Sequence, residues 1–198
     1  LVFQAVGCDN GGMSIPLPVT MFQLAYQQGA RIHSNSYATN IGDGSYAYID
    51  REVDRYIFQN KEFNIIFAGG NAAGAGTVGT TGKNAIVVGG FYVDQPNTQI
   101  YARGPTIDGR FKPDILSTAG ATNGGGITTT RSSVQILPGC EQLTSNPSYC
   151  LIAGTSIAAP NVAGAAALVR EYFMTRRNVL NPSAALVKAV ILNGGESL

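Results

Sequence analysis

The sequence predicts an α/β fold, a mostly parallel β-sheet with helices on both faces. Three observations predict it. Short apolar runs rich in β-branched residues alternate along the chain with segments of helical periodicity. The 198 residues are enough for one substantial hydrophobic core and are read as one unit, 1–198. Charged residues make up 13% of the chain beside 25 glycines, a composition of tight turns and close packing rather than of solvated surface.

Taken in order, Leu1 to Val6 reads as a short buried strand. Met21, Phe22 and Ala25 follow helical spacing until Gly29. Ala30 to Tyr37 reads as a strand. Ser45 is placed to cap a helix whose Ile49, Val53, Tyr56 and Ile57 fall on one face. Phe63–Ala68 and Ala85–Gly89 are further strands. The stretch from Gln95 to Pro138, rich in Gly, Thr, Ser and Pro, reads as loops and short strands that shape a site. From Ser156 to about Phe173 a helix follows that is small on nearly every side, which predicts burial all round. Pro182 then suits the first turn of a last helix ending near Leu192, before Asn193-Gly194-Gly195.

Composition narrows function. A net charge of +1 without a basic run points to no nucleic-acid or anionic-membrane surface, and favours a neutral partner such as a polypeptide. No run approaches eighteen apolar residues, so no membrane span is expected. The opening Leu1-Val2-Phe3, with no initiator Met, reads as the interior of a longer protein. Of three cysteines, Cys140 and Cys150 are near enough to close a short loop, and Cys8 is left to pair elsewhere or stay free. This pattern favours a secreted, oxidising context over reduced thiols. Gly74-Ala75-Gly76-Thr77-Val78-Gly79 fits a dinucleotide-binding spacing but leads into a strand, and Gly82-Lys83 lacks the rest of a phosphate loop.

The segment that bears on chemistry is Gly154-Thr155-Ser156-Ile157-Ala158-Ala159-Pro160-Asn161-Val162-Ala163-Gly164. It sets a serine at the mouth of a small-residue helix, where unpaired N–H groups and the helix dipole stabilise an oxyanion. Pro160 is expected in the first turn, where its missing donor costs little. Alone, Ser156 would read as an N-cap. The eleven residues, however, resemble the serine motif of the subtilisin-like proteases. The resemblance implies a subtilisin-like three-layer architecture, incomplete here, with Ser156 as nucleophile.

Two more segments resemble the same family in the right order. Phe67-Ala68-Gly69-Gly70-Asn71 resembles the stretch that presents the family's oxyanion asparagine, so Asn71 is implied as a second catalytic residue, with Gly69 and Gly70 beside the substrate. Ile32-His33-Ser34-Asn35-Ser36-Tyr37-Ala38 resembles the strand on which the family's substrates pair backbone to backbone, which implies substrate contacts at Ser36, Tyr37 and Ala38. Ala38 stands where the family usually has Gly. Gly104 to Ile115, with Arg110, Lys112 and Asp114, is similar to a family stretch read as scaffold.

A serine nucleophile needs a base and a carboxylate to orient it. The one histidine, His33, lies mid-strand outside the family's histidine motif and is not assigned that role. The resemblance places both missing groups upstream, and the chain reads as a partial peptidase domain. Two classes follow: a secreted serine endopeptidase completed by upstream Asp and His, or an inactive relative kept as a structural or protein-binding module. No cofactor is required. Structural calcium is common in the family, but no ligand set is assignable.

Overall fold

The computed structural model of the chain describes residues 1–4, 17–39, 42–99, 101–122, 125–133 and 140–196. Helix α1 (Pro18–Gln27) leads to strand β1 (Ile32–Asn35), helix α2 (Tyr48–Gln59) and strand β2 (Asn64–Ala68). Strands β3 (Gly74–Ala75), β4 (Ile86–Tyr92), β5 (Gln95–Gln99), β6 (Ala102–Arg103) and β7 (Ile115–Gly120) follow. After them come β8 (Ile127–Thr130), β9 (Glu141–Gln142), β10 (Tyr149–Ile152), α3 (Thr155–Arg176) and α4 (Ala184–Asn193).

The main sheet runs β1-β2-β4-β7, all parallel, with Ile32 opposite Asn64, Ile66 opposite Ile86 and Val88 opposite Ile115. Strand β5 folds back antiparallel on the end of β4, and β8, β10 and β9 form a small separate sheet. Because the four core strands point one way, their C-terminal ends share an edge, where α/β sheets gather their site loops. Strand β2 shows how the layers are made. Its alternate residues Ile66 and Ala68 pack with Ala158, Val162 and Val187 of α3 and α4. Ile65 and Phe67 point the other way, onto Phe22 of α1 and Val53, Tyr56 and Ile57 of α2. A strand buried on both faces reads as an unbroken apolar run, as this one does.

The structure departs from the sequence expectations at six places. Residues 1–4 form no strand, and Leu1 and Phe3 are exposed. An apolar run becomes a strand only beside a partner, and this one is held by Gln4 instead, whose Nε2 donates to the Met21 carbonyl at 2.8 Å. Val6 and Cys8 lie outside the described residues. Helix α2 is capped not by Ser45 but by Asp50, whose Oδ2 accepts from the Ala47 N–H at 2.9 Å. Helix α4 starts after Ser183, whose Oγ accepts from the Leu186 N–H at 3.2 Å, with Pro182 just outside.

The other three differences bear on the site. Helix α3 is buried along one stripe only, Thr155, Ala158, Ala159, Val162, Ala166 and Arg170, while Leu168 is exposed. Its small residues let the sheet approach closely; they do not signal enclosure. Pro160 is the sixth residue of α3, so it lies in the second turn, and its missing N–H removes the bond that the Ser156 carbonyl would accept. Within the stretch expected as loops and short strands, Ile115–Gly120 is a six-residue parallel strand beside β4. Its Ser117, Thr118 and Ala119 hide the apolar pattern.

Candidate active site

Ser156 is the second residue of α3, among the first-turn N–H groups that have no carbonyl one turn behind them. The chain reaches it from β10 through Gly154, which adopts φ 132° and donates its N–H to the Ala119 carbonyl at 2.8 Å. Only glycine takes that conformation without strain. It also leaves room: a Cβ on Gly154 would stand 3.2 Å from the Asn71 Nδ2.

Asn71 follows β2 across Gly69 and Gly70. Its Oδ1 accepts twice from Thr155, from the main-chain N–H at 2.9 Å and from the hydroxyl at 2.8 Å. The Thr155 hydroxyl also accepts from the Gly70 N–H at 3.3 Å. The two bonds hold the carboxamide oxygen on Thr155, the residue just before Ser156. Asn71 and Ser156 are therefore brought together at the sheet's C-terminal edge. A serine hydroxyl, a carboxamide and a helix N-terminus are the parts from which an oxyanion can be formed and held. Thr155, almost wholly buried, was not singled out from the sequence; its place between a glycine and the serine was the available signal.

The residues implied for substrate contact divide. Ser36 meets the helix mouth directly: its Oγ donates to the Ser156 carbonyl at 2.8 Å, and its carbonyl accepts from the Ser156 Oγ at 3.0 Å. Tyr37 turns inward, with its ring edge-on to Phe67 at 5.6 Å and its buried hydroxyl raised to about 12 by desolvation. Ala38 is half-buried. Gly69 and Gly70 already use their main-chain groups inside the protein, on Val88, Gly79, Thr155 and Ala102. They contribute close approach rather than strand pairing. A cavity of about 230 Å³ opens next to Ala153, lined by Tyr92, Gly126 and Glu141 among others.

His33 faces the opposite layer from α3. Its ring packs edge-on to Phe22 at 4.9 Å, its Nε2 pairs with Gln4 Oε1 at 2.8 Å, and burial pushes its pKa down to about 4. It is a packed histidine, not a base for Ser156. Arg110 pairs with Asp108 at 2.9 Å and Lys112 with Asp114 at 2.6 Å, with Lys188 on Asp114 as well at 3.1 Å. Desolvation lowers buried Lys112 to about 8. These are scaffold contacts. The sulfurs of Cys140 and Cys150 are bonded, with Cα atoms 5.4 Å apart. Among the described residues there is no cluster of three His, Cys, Asp or Glu able to hold a metal, and no helix long and apolar enough to cross a membrane.

The chain belongs to the subtilase family, whose profile matches residues 1–195. Among curated proteins it is similar to the serine protease/ABC transporter B family protein tagB of Dictyostelium discoideum. The two are 23% identical over an alignment 284 positions long, which covers 96% of this chain and 15% of that protein. Among solved structures it is similar to the prenylagaramide maturation protease PagA, with a TM-score of 0.68 at 17% identity, covering 94% of this chain and 60% of that one. A cold-adapted subtilisin-like serine proteinase gives a TM-score of 0.61 at 16% identity, covering 95% and 57%. The fold is thus subtilisin-like. The chain spans about 60% of the solved protease chains and a small fraction of the curated relative.

Proposed function

We propose that this chain supplies the nucleophile and the oxyanion-binding part of a serine endopeptidase. Ser156 attacks the scissile carbonyl of a polypeptide. The Ser156 N–H and the Asn71 carboxamide stabilise the oxyanion, and the acyl-enzyme is then hydrolysed. The observation that supports this reading is the pair of hydrogen bonds from Thr155 to the Asn71 Oδ1, which ties the carboxamide to the helix mouth that bears Ser156. His33 packs in the other layer, so the general base and its orienting carboxylate come from outside residues 1–198. Substrate lies along Ser36–Ala38 and over Gly69 and Gly70. The Cys140–Cys150 disulfide supports an oxidising compartment and hence a secreted protein. No cofactor is needed for this chemistry.

The test is labelling of the intact protein with a fluorophosphonate, followed by peptide mapping. Modification at Ser156, absent in Ser156→Ala, supports the reading; loss of the nucleophile should lower turnover by about six powers of ten. An intact protein that is never labelled would be a binding or structural module.

A further inference from the structure

We infer that Ser36 is a positioning residue whose hydroxyl stands in for the amide proton that Pro160 lacks. This rests on the reading of Ser156 as the nucleophile. In a regular helix the Ser156 carbonyl would accept from the N–H four residues on. That residue is Pro160, which has no N–H and whose ring crowds the carbonyl of residue 156. The carbonyl would be left unpaired in the turn that has to hold the nucleophile still. Ser36, 120 residues earlier in the chain, donates its Oγ to that oxygen at 2.8 Å. The same residue then takes hold of the other end of the serine, its carbonyl accepting from the Ser156 Oγ at 3.0 Å. Two bonds in opposite senses join the end of β1 to the first turn of α3. They fix both the main chain and the hydroxyl of Ser156.

The pairing also accounts for a helix with proline in its second turn at a place where precision is needed. The proline frees an acceptor that faces the sheet edge, and a side chain from the proposed substrate strand fills it. The strand and the nucleophile are thereby held in one frame, so a peptide docked on β1 meets Ser156 at a set distance. A 1 Å misplacement in such a site has large kinetic consequences.

A double-mutant cycle in the intact protein tests this, read by the rate of fluorophosphonate labelling and by peptide turnover. The small probe does not need the substrate strand, so it separates positioning from substrate contact. Ser36→Ala should slow labelling and lower kcat by about fivefold to tenfold, the effect of one neutral hydrogen bond, with KM within about twofold. Ser36→Thr, which keeps the hydroxyl, should restore both. Pro160→Ala returns an N–H to the helix, and in that background Ser36→Ala should cost less than about twofold. Equal losses in both backgrounds, or a loss confined to KM, would overturn the inference. A wild-type protein that takes no label at Ser156 would overturn the nucleophile assignment itself, a different result from any of these.

Discussion

Thr155 gives both of its donors to one atom, the Oδ1 of Asn71, at 2.9 Å from the main-chain N–H and 2.8 Å from the hydroxyl. That relationship sets the face which the carboxamide presents. It also joins the end of β2 to the mouth of α3, since the same hydroxyl accepts from the Gly70 N–H.

Thr155→Val keeps the shape and removes the hydroxyl. One of the two bonds on Oδ1 is lost, and the Gly70 N–H loses its acceptor. Turnover in the intact protein should fall by about fivefold to tenfold through kcat, while Thr155→Ser stays near wild type. Asn71→Leu, which removes the oxyanion donor altogether, should cost about 10²–10³ in kcat. Steady-state kinetics with one peptide substrate distinguish the two. An unchanged kcat in Asn71→Leu would remove the carboxamide from the proposed mechanism.

How far the sequence carried depended on whether a feature was local. The apolar run Ile65-Ile66-Phe67 and the spacing of Val53, Tyr56 and Ile57 identified β2 and α2, because each pattern lies within one element. The serine motif and the Gly69-Gly70-Asn71 turn were equally visible. The contacts that organise them were not: Thr155 on Asn71 spans 84 residues and Ser36 on Ser156 spans 120. Nothing periodic marks such a pair. Strand β7 went unread for another reason, since Ser117, Thr118 and Ala119 are the small residues needed under the close-packed α3, and small polar residues look like loop. The one-sided burial of α3 failed similarly, because alanine signals close approach on one face without saying what covers the others.

His33 should make stability depend on pH in a definite direction. Burial among Phe22 and Phe63 holds it at about 4 in the folded protein, against 6.5 in the unfolded chain. Between those values the unfolded state binds the additional proton, so stability falls as pH falls through this window and the effect ends below about pH 4. From pH 7 to pH 5, above the usual carboxylate range, the loss from this group should be about 2 kcal/mol. Denaturant melts of the described domain at the two pH values check it. In His33→Phe the difference should shrink by that amount, and an unchanged difference would mean that the histidine titrates normally.

Asp50 ties Thr39, Ala47 and Thr81 together. Its fully buried carboxylate accepts from the Thr39 hydroxyl at 2.8 Å, the Ala47 N–H at 2.9 Å, and both the N–H and hydroxyl of Thr81, at 3.0 and 3.1 Å. Asp50→Ala takes the acceptor from the Ala47 and Thr81 N–H groups, each costing about 1–3 kcal/mol when buried, while the Thr39 and Thr81 hydroxyls keep the Gly79 and Ser45 carbonyls. The loss should reach at least about 3 kcal/mol. A drop in melting temperature of only a degree or two would mean that water replaces the carboxylate.

Removing the disulfide should loosen the approach to Ser156 from the other side. Cys140 and Cys150 close a loop with a sequence separation of 10, and Cys150 lies on β10, the strand that runs into Gly154. A loop of this size contributes about 2–3 kcal/mol by restricting the unfolded chain. The double variant Cys140→Ala/Cys150→Ala should lose that much in denaturant melts, and dithiothreitol should lower the wild type toward it. Identical curves with and without reductant would show that the bond does not form in solution.

Gly154→Ala tests whether the site tolerates any crowding at the helix mouth. Two costs coincide there. The residue sits at φ 132°, a conformation that an alanine adopts only with strain. The added methyl would also stand 3.2 Å from the Nδ2 and 3.3 Å from the Oδ1 of Asn71, closer than carbon usually approaches either atom. Relief comes most easily by displacing the carboxamide, which is the group proposed to meet the oxyanion. The variant should therefore lose activity out of proportion to stability: about 1–3 kcal/mol in folding, from the backbone strain, but at least tenfold in kcat as the donor moves off line. Combining it with Asn71→Leu separates the two effects. If Gly154 acts through Asn71, the double variant should be no slower than Asn71→Leu alone, whereas an additional tenfold loss would show that the glycine supports Ser156 by another route.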